Sequence, residues 1–440
     1  MPRLVRVALI SLRDLLATAG PFVLIALALL LAAYFVLDPT PPRRVVLATG
    51  PEGTAYAELG RRYAAQLARY GIEVVLRPSM GARDNLRLLR DAKEPVDVAF
   101  VQGGSGESAA EDEDKAPDVE LVSLGSVNYE PVWIFRRGEP LQRLTDLRGL
   151  RLNSGVRGSG TPGITRRLLE ANFVDRDEVK RESLAETPAV MALLEGRLDA
   201  AVLVSPPESP MVQMLLQTPG VHLYEYAHAE AYSRRFPYLV PVVLPRGVVD
   251  LSRDVPPEDI TLVATTTGLV SRADTHPALM QLFVQAASRI HSAPGWIARA
   301  GQFPNARAAE FPLAQEAQRF YQGGPPLLQR YLPFWLANLV DRMWVALFSI
   351  IAVLIPLSRL LPPLYEFRVR SRIFRWYRNL RDIENGLDQK DAGREELLAA
   401  LDRLERRAFA VTVPLSYADE LYALRQHIGL VRERLHRELA

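Results

Sequence analysis

Two long apolar runs, one near each end of the chain, constrain the fold more than any other feature. The first contains no charged residue from Leu15 to Leu37, and the second extends from Met343 to Ser358 and continues to Leu361. A helix of about 23 residues is about 34 Å long, which is enough to cross the hydrocarbon core of a bilayer. The runs therefore predict transmembrane helices at residues 15–37 and 343–361.

Each run has a second interpretation. The first could be a cleaved signal peptide, but such a peptide usually has a shorter apolar core and ends at a small-x-small site. This run ends instead at Tyr34-Phe-Val-Leu-Asp-Pro39. The second could be a buried helix of a soluble domain. We favour an uncleaved anchor for the first run because of how it ends, and a membrane span for the second because of the charges beside it.

Arginine residues cluster on one flank of each run: Arg3, Arg6 and Arg13 before the first, and Arg368, Arg370, Arg372, Arg375, Arg378 and Arg381 after the second. Basic flanks stay in the cytoplasm, where arginines next to a span contact anionic lipid head groups. Arg43 and Arg44 are a weaker signal in the opposite direction. The predicted protein lies in the bacterial inner membrane, with residues 1–14 and 362–440 cytoplasmic and residues 39–331 periplasmic.

The overall composition is that of a globular protein and excludes several functions. Hydrophobic residues make up 48% and charged residues 24% of the chain, and the net charge is only +2. A dedicated nucleic-acid binder would carry a strong basic surplus, so no nucleic-acid partner is expected. The chain contains no cysteine. Disulfides, thiolate metal sites and cysteine nucleophiles are therefore excluded.

Short apolar runs alternate with helical patterns between the two spans. Strands are expected at Val45–Thr49, Glu73–Leu76, Val96–Val101, Leu121–Leu124, Val132–Phe135, Leu150–Leu152, Ala200–Val204 and Val221–Tyr226, with helices between most of them. Repeated strand–helix–strand units predict an α/β fold with a parallel sheet.

We predict two lobes, of which the second is inserted into the first. The first lobe comprises residues 43–128 and 240–330, and the second comprises residues 137–236. The chain would cross between them near Tyr129–Arg136 and return near Pro237–Pro245. Loops at strand ends of such sheets are where ligands bind.

Two glycine-rich turns each lead from a strand into a helix. They are Thr49-Gly-Pro-Glu-Gly-Thr-Ala-Tyr56 and Gly155-Val-Arg-Gly-Ser-Gly-Thr-Pro-Gly163, and Thr161 is placed to cap the second helix. Glycine lets the backbone approach a ligand closely, and free N–H groups at a helix start favour an anion. Two such ends across a cleft predict a site for a carboxylate or similar anion, and hence for a small anionic or zwitterionic solute. The alternative is that both segments are ordinary tight turns.

Motifs of the common enzyme classes are absent. Neither turn is a phosphate loop or a dinucleotide-binding loop, and Arg157 replaces the first glycine of a nucleophile elbow around Ser159. The six histidines form no metal motif. We therefore predict no catalytic residue, no metal and no cofactor. The rival from the enzyme class is a hydrolase or transferase that uses Glu130 in the cleft.

Five motifs in order resemble the TAXI family of solute-binding proteins, the receptors of one branch of TRAP transporters. They are Ala48-Thr-Gly-Pro-Glu-Gly-Thr-Ala-Tyr56, Pro78-Ser-Met-Gly-Ala-Arg-Asp-Asn85, Asp97-Val-Ala-Phe-Val-Gln102, Gly158-Ser-Gly-Thr161 and Leu194-Glu-Gly-Arg-Leu-Asp199. The resemblance covers roughly residues 44–330. It implies a two-lobed domain of the periplasmic-binding-protein type (type II), which closes on a small organic acid or amino acid and delivers it to a membrane permease.

The resemblance also implies which residues line the cleft. These are Thr49, Gly50, Gly53, Thr54, Tyr56, Asn85, Gln102, Tyr129, Glu130, Ser159, Gly160 and Thr161, with Arg157 as a departure whose side chain either clamps a carboxylate or points to water. A second departure is the frame, because family members are usually released from the membrane. The two-span form resembles a TAXI-like subgroup for which a role in transport is not assumed.

The C-terminal tail carries two helical patterns. Leu397, Leu401, Leu404 and Ala408 recur at helical spacing, as do Leu421, Leu424, Ile428, Val431 and Leu435, and Ser416-Tyr-Ala-Asp419 forms a capping box. Each seam is too short for an independent coiled coil. Residues 391–438 therefore form either an antiparallel hairpin that packs on itself or a docking surface for a cytoplasmic partner or a second copy. Solute binding for transport is the first functional prediction, and a membrane-tethered ligand sensor or scaffold is the second.

Overall fold

The structure is a computed structural model that describes residues 20, 22–36, 40–106, 119–306, 310–325, 327–389, 393–410 and 418–438. The chain divides into two compact units. One comprises Thr40–Ala337, and the other comprises Met1–Pro39 and Asn338–Ala440. Residues 1–19 and 107–118 lie outside the described residues, as does Ser416 of the predicted capping box.

The larger unit contains alternating strands and helices, as predicted. The strands are β1 (Arg44–Ala48), β2 (Glu73–Arg77), β3 (Val98–Gln102), β4 (Leu121–Arg137), β5 (Arg151–Asn153), β6 (Lys180–Glu182), β7 (Ala200–Val204), β8 (Val221–Leu223), β9 (Val240–Leu244) and β10 (Ile260–Arg272). The helices are α1 (Ala55–Ala68), α2 (Ala82–Arg90), α3 (Thr161–Ala171), α4 (Glu186–Leu194), α5 (Pro210–Leu216), α6 (Ala229–Arg235), α7 (Pro277–His291) and α8 (Gln315–Gly323). The predicted α/β class is confirmed.

The prediction of a parallel sheet is wrong, because the sheet is mixed. Its described strands run in the order β2-β1-β3-β10-β4-β7-β5-β6, with β8 beside β4 and β9 beside β10. Strands joined through helices pair in parallel, as β1 does with β2 and β3, and β5 with β6 and β7. The central strand β10 is antiparallel to β3, β4 and β9, and β4 is antiparallel to β7 and β8. Antiparallel neighbours do not need a crossover helix.

Two hydrophobic cores lie on either side of a point within β4. This strand was predicted as two short strands, Leu121–Leu124 and Val132–Phe135, but it is continuous. Residues 121–131 pair with β10, whereas residues 132–137 pair with β7 and β8. Leu124 and Val127 belong to the core of the first lobe, and Val132 to Phe135 belong to the core of the second. One strand thus takes part in both cores, and the parts of the unit around them are named the first lobe and the second lobe.

The strand β10 makes the return connection. Its first part, together with β9, packs in the core of the second lobe through Val242, Leu244, Leu262 and Val263, whereas Leu269 packs in the first. We therefore place the return of the chain within β10 instead of at Pro237–Pro245. The sequence pattern did not predict where the chain returns, because the residues of β9 and β10 are apolar both before and after that point.

The smaller unit is helical. Its helices are residues 22–36, α9 (Phe334–Ser358), which begins in the larger unit, α10 (Leu361–Gln389), α11 (Arg394–Ala410) and α12 (Ala418–Glu438). The predicted two-helix hairpin is incomplete, because α10 supplies Leu380 and Ile383 to the same core as Leu401 and Leu424. Three helices therefore bury one apolar cluster.

A membrane span is not found among the helices that the structure describes, since none of them is both long and apolar enough to cross a bilayer. The predicted spans at residues 15–37 and 343–361 thus receive no support from it. Large apolar side chains are nevertheless exposed on the helix of residues 22–36 and on α9, among them Phe35, Val36, Trp344 and Phe348.

Candidate functional site

The buried carboxyl group of Glu130 is the centre of the candidate site. Glu130 lies in β4, next to the point where the strand passes from one lobe to the other. The hydroxyl of Thr267 in β10 donates to Glu130 Oε1 at 2.8 Å, and the hydroxyl of Tyr56 in α1 donates to Oε2 at 3.3 Å. Gln102, at the end of β3, also bonds to the carboxyl group through its side chain. Three elements of the first lobe therefore converge on one acid.

Burial changes the acidity of this group. It raises the pKa of Glu130 from 4.5 to about 7, and the hydrogen bonds from Thr267, Tyr56 and Gln102 only partly oppose this effect. The charge of Glu186 raises the pKa further. Burial, and then the neighbouring Glu130, also hold the pKa of the Tyr56 phenol well above its ordinary value. Tyr56 therefore remains a neutral donor, whereas Glu130 exchanges a proton near neutral pH.

The two lobes meet at Gln102, whose side chain is bonded to this acid. A Cβ atom added at Gly160, in the second lobe, would overlap Gln102 Oε1 and lie 3.2 Å from the hydroxyl oxygen of Ser105. The backbone N–H of Asp84 donates to the carbonyl of Gly158 at 3.0 Å. A Cβ atom added at Gly81, which has a φ of +126°, would lie 3.1 Å from the Cα of Ser159. Only residues without a side chain allow the lobes to approach this closely.

The second lobe supplies another acid, Glu186, which is partly buried at the start of α4. The hydroxyls of Ser209 and Ser205 donate to its Oε1 at 2.9 and 3.5 Å. Burial raises the pKa of Glu186, and these two hydrogen bonds lower it by less. Ser205 directly follows β7, and the Nε1 of Trp133 in β4 donates to its carbonyl at 2.9 Å. The register Val132↔Val204 thus brings Ser205, a partner of Glu186, close to the segment of β4 that follows Glu130.

Ser105 has a hydroxyl group that no described residue bonds. The residue is 4% exposed. Its Oγ lies on the side of Gly160, where Gln102 also meets the second lobe. A buried hydroxyl without a partner costs about 1–3 kcal/mol. Such a group close to Gln102, a partner of Glu130, therefore favours a site that is completed by a ligand.

Four of the predicted residues use their polar atoms within the first lobe. The Nδ2 of Asn85 donates to the carbonyl of Phe100, and its Oδ1 accepts from the hydroxyl of Ser79. The hydroxyl of Thr54 donates to Pro51 O at 2.7 Å. Thr49 is 2% exposed, and Gly50 packs against the hydroxyl of Thr54. The structure therefore places Thr49, Gly50, Thr54 and Asn85 in the framework of the turn, with Gly53 at a left-handed φ of +81°.

Tyr129 lies apart from the predicted cleft residues, although it is adjacent to Glu130. Successive side chains of a strand point to opposite faces. The hydroxyl of Tyr129 accepts from Gln302 Nε2 at 2.8 Å, and its ring packs edge-on against Phe303. It borders a separate cavity of about 460 Å³ together with Ile297, Arg299 and others. The structure brings Glu130 to the site and leaves Tyr129 on the other face.

Of the predicted residues in the second lobe, some contact the first lobe and others do not. Gly160 touches the first lobe, whereas the hydroxyl of Ser159 donates to Val156 O within its own turn. Arg157 is exposed to solvent. The prediction that Thr161 caps the helix is wrong, because α3 begins at Thr161 itself and Gly160 occupies the capping position. Pro162 lies in the first turn of α3, and its ring favours the helical backbone conformation at the start of the helix.

Sequence reasoning missed Ser105, Thr267, Glu186, Ser205 and Ser209. Thr267 and Ser205 are polar residues within or directly after apolar strands, and that signal could have identified them. Glu186 is the first residue of a helix, where an acidic residue is common, so its position in the sequence does not indicate a site. Within the described residues, no group of three or more His, Asp or Glu side chains is arranged to hold a metal ion.

The chain belongs to the NMT1-like family, whose profile matches residues 47–323. Among curated proteins, none matches the sequence.

The chain is also similar to solved structures, of which three from different bacteria are examples. The periplasmic aliphatic sulphonate binding protein SsuA from Escherichia coli is 15% identical, with a TM-score of 0.36 over 71% of this chain and 83% of that chain. MatC from Rhodopseudomonas palustris, with bound malate, is 16% identical, with a TM-score of 0.39 over 70% and 99%. PhnD1 from Prochlorococcus marinus, in complex with methylphosphonate, is 12% identical, with a TM-score of 0.38 over 57% and 85%.

Proposed function

We propose that the unit of residues 40–337 is a receptor that captures a small solute between its lobes. The observation that carries this proposal is the buried Glu130, which receives hydrogen bonds from the first lobe and is bonded to Gln102, the residue that meets Gly160 of the second. Membership of the NMT1-like family and the five TAXI-like motifs support the same function. Binding would be coupled to closure about β4 and β10.

The proposed type is the TAXI receptor of a TRAP transporter, which hands a small organic acid or amino acid to a permease. The sequence contains no motif of the common enzyme classes around the site residues, which favours binding over catalysis. Turnover of a bound solute that is lost in Glu130→Gln would instead establish an enzyme.

A thermal-shift screen of the purified full-length protein tests the proposal. A solute at 100 times its dissociation constant stabilises the folded receptor by about 2.7 kcal/mol. We expect at least one amino acid or organic acid to raise the melting temperature of the larger unit. If none of either class does so at millimolar concentration, the receptor function is rejected.

A tethered ligand sensor or scaffold is the second proposed function. The observation that favours it is the separate helical core of α10, α11 and α12, because a receptor dedicated to a permease has no need of this unit. Residues 391–438 would bind a cytoplasmic partner or a second copy.

Anchoring in the inner membrane is a further part of the proposal, and it rests on the two apolar runs and their arginine flanks. Alkaline phosphatase fused after residue 330 would be active, and the same fusion after residue 400 would be inactive. The reverse pattern would exclude the proposed topology.

A further inference from the structure

We propose that the cleft selects solutes that carry a protonated amine, and that Glu130 and Glu186 accept hydrogen bonds from this group. The inference rests on the proposed solute-binding function and specifies its ligand class. It favours amino acids and other amines over purely anionic solutes.

The arrangement of the two acids is the first argument. Glu130 belongs to β4 and is bonded within the first lobe, whereas Glu186 opens α4 in the second lobe. The pairing of β4 with β7 brings Ser205, a partner of Glu186, beside the segment of β4 that follows Glu130. Glu186 is close enough for its charge to act on Glu130. Each lobe therefore contributes one carboxyl group to the same region.

The absence of a positive charge is the second argument. The described groups that face Glu130 are Tyr56 from α1, Gln102 from β3, Thr267 from β10 and Glu186 from α4. Those that face Glu186 are Ser205 and Ser209. None of these six described neighbours is basic. A buried carboxylate is stable only when it is paired or neutralised, so an ammonium group would supply the missing charge.

Ser105 supplies the third argument and is independent of the acids. Its hydroxyl is buried, has no partner among the described residues, and lies where Gln102 meets Gly160. An ammonium group has three N–H donors. Two carboxyl groups and one hydroxyl oxygen are three acceptors, which match these donors in number. A carboxylate ligand would instead meet two like charges.

Matched pairs of probes test the inference on the full-length protein. Isothermal titration calorimetry would compare L-glutamate with glutarate, L-leucine with 4-methylpentanoate, and 4-aminobutyrate with butyrate. Each pair differs chiefly in the amino group. We expect the amine of at least one pair to bind at least ten times more tightly than its partner.

Proton linkage gives a second readout on the unmodified protein. Glu130 is about half protonated at pH 7, and a bound ammonium group lowers its pKa. Binding of an amine should therefore release about half a proton at pH 7, measured as a difference in binding enthalpy between phosphate and Tris buffers. A purely anionic solute would take up protons instead.

Variants complete the test. Glu130→Gln and Glu186→Gln should each weaken amine binding at least ten-fold, and the exposed control Glu73→Gln should leave it unchanged. If the deaminated probes bind as tightly as the amines, or if binding takes up protons, the amine inference is overturned while the receptor function stands. If no probe of either kind binds, the receptor function fails as well.

Discussion

Gly160 is the residue at which the second lobe comes closest to the first, and its lack of a side chain is what the contact requires. In Gly160→Ala, the added methyl group would overlap Gln102 Oε1, so Gln102 or the whole turn must move. We expect solute affinity to fall at least ten-fold, while the melting temperature without solute changes little. Gly323→Ala is the control, because nothing lies within 4 Å of its added Cβ. Unchanged affinity in Gly160→Ala would show that the lobes bind solute without this contact.

Glu130 makes the stability of the protein depend on pH. Its pKa is raised from 4.5 to about 7 in the folded state, so this residue's contribution is fully present below pH 4.5 and is lost as the pH rises to 7. The loss is on the order of 3 kcal/mol, at 1.36 kcal/mol for each pKa unit. Relative to the wild type, Glu130→Gln should therefore gain stability as the pH rises from 4.5 to 7. Chemical denaturation of both proteins at several pH values measures this difference, and a constant difference would contradict the assignment.

His291 has the opposite effect on stability. Burial, and then the charge of Arg62, lower its pKa from 6.5 to about 3. The imidazole of His291 stays neutral in the folded state but takes up a proton in the unfolded state. Its contribution to the free energy of unfolding is therefore present above pH 6.5 and is lost as the pH falls towards 3. In His291→Gln, stability should fall less than in the wild type between pH 6.5 and pH 4. The same denaturation series measures this. An equal fall in both proteins would mean that His291 does not govern the acid response.

At the scale of elements, Arg272 at the end of β10 fixes the C-terminal end of α2. Its guanidinium donates to the carbonyls of Leu88, Leu89, Asp91 and Glu94 at 2.6–3.1 Å. Helix ends leave such carbonyls without partners, and hydrogen bonds to a charged group contribute about 1.5–3 kcal/mol. We expect Arg272→Met to speed hydrogen exchange in peptides that cover α2. Arg61→Met, which removes only an exposed pair with Glu58, should not.

The elements also show what a sequence can predict. The strands Ala200–Val204 and Glu73–Leu76 were recognised from local patterns, because each is fixed by its own run of apolar residues. The direction of β10 and the continuity of β4 depend on pairing between distant residues, which no local pattern contains. The residues of the candidate site show the same difference between local patterns and distant pairing. Glu130 stood out beside the predicted crossing, whereas Glu186 reached the site only through the register of β4 and β7.

At the scale of the whole molecule, the tail has a core of its own. Leu401 is fully buried among α10, α11 and α12, whereas Leu430 on α12 is 55% exposed. Leu401→Ala should destabilise this core by about 2–5 kcal/mol, and Leu430→Ala should have little effect. Hydrogen exchange should therefore quicken in α10 and α12 and stay unchanged within residues 40–337. Faster exchange in both units would show that they fold as one.

The shared core also determines how the two proposed functions are separated. Removing residues 388–440 would leave α10 with Leu380 and Ile383 uncovered, and that apolar surface could cause aggregation unrelated to function. Removing residues 362–440 takes away nearly all of the three-helix core and avoids this artefact. A transport receptor should then retain solute binding and uptake, because its site lies within residues 40–337. A sensor should retain binding and lose its downstream response. Loss of binding itself would contradict both functions, since it would make the tail part of the site.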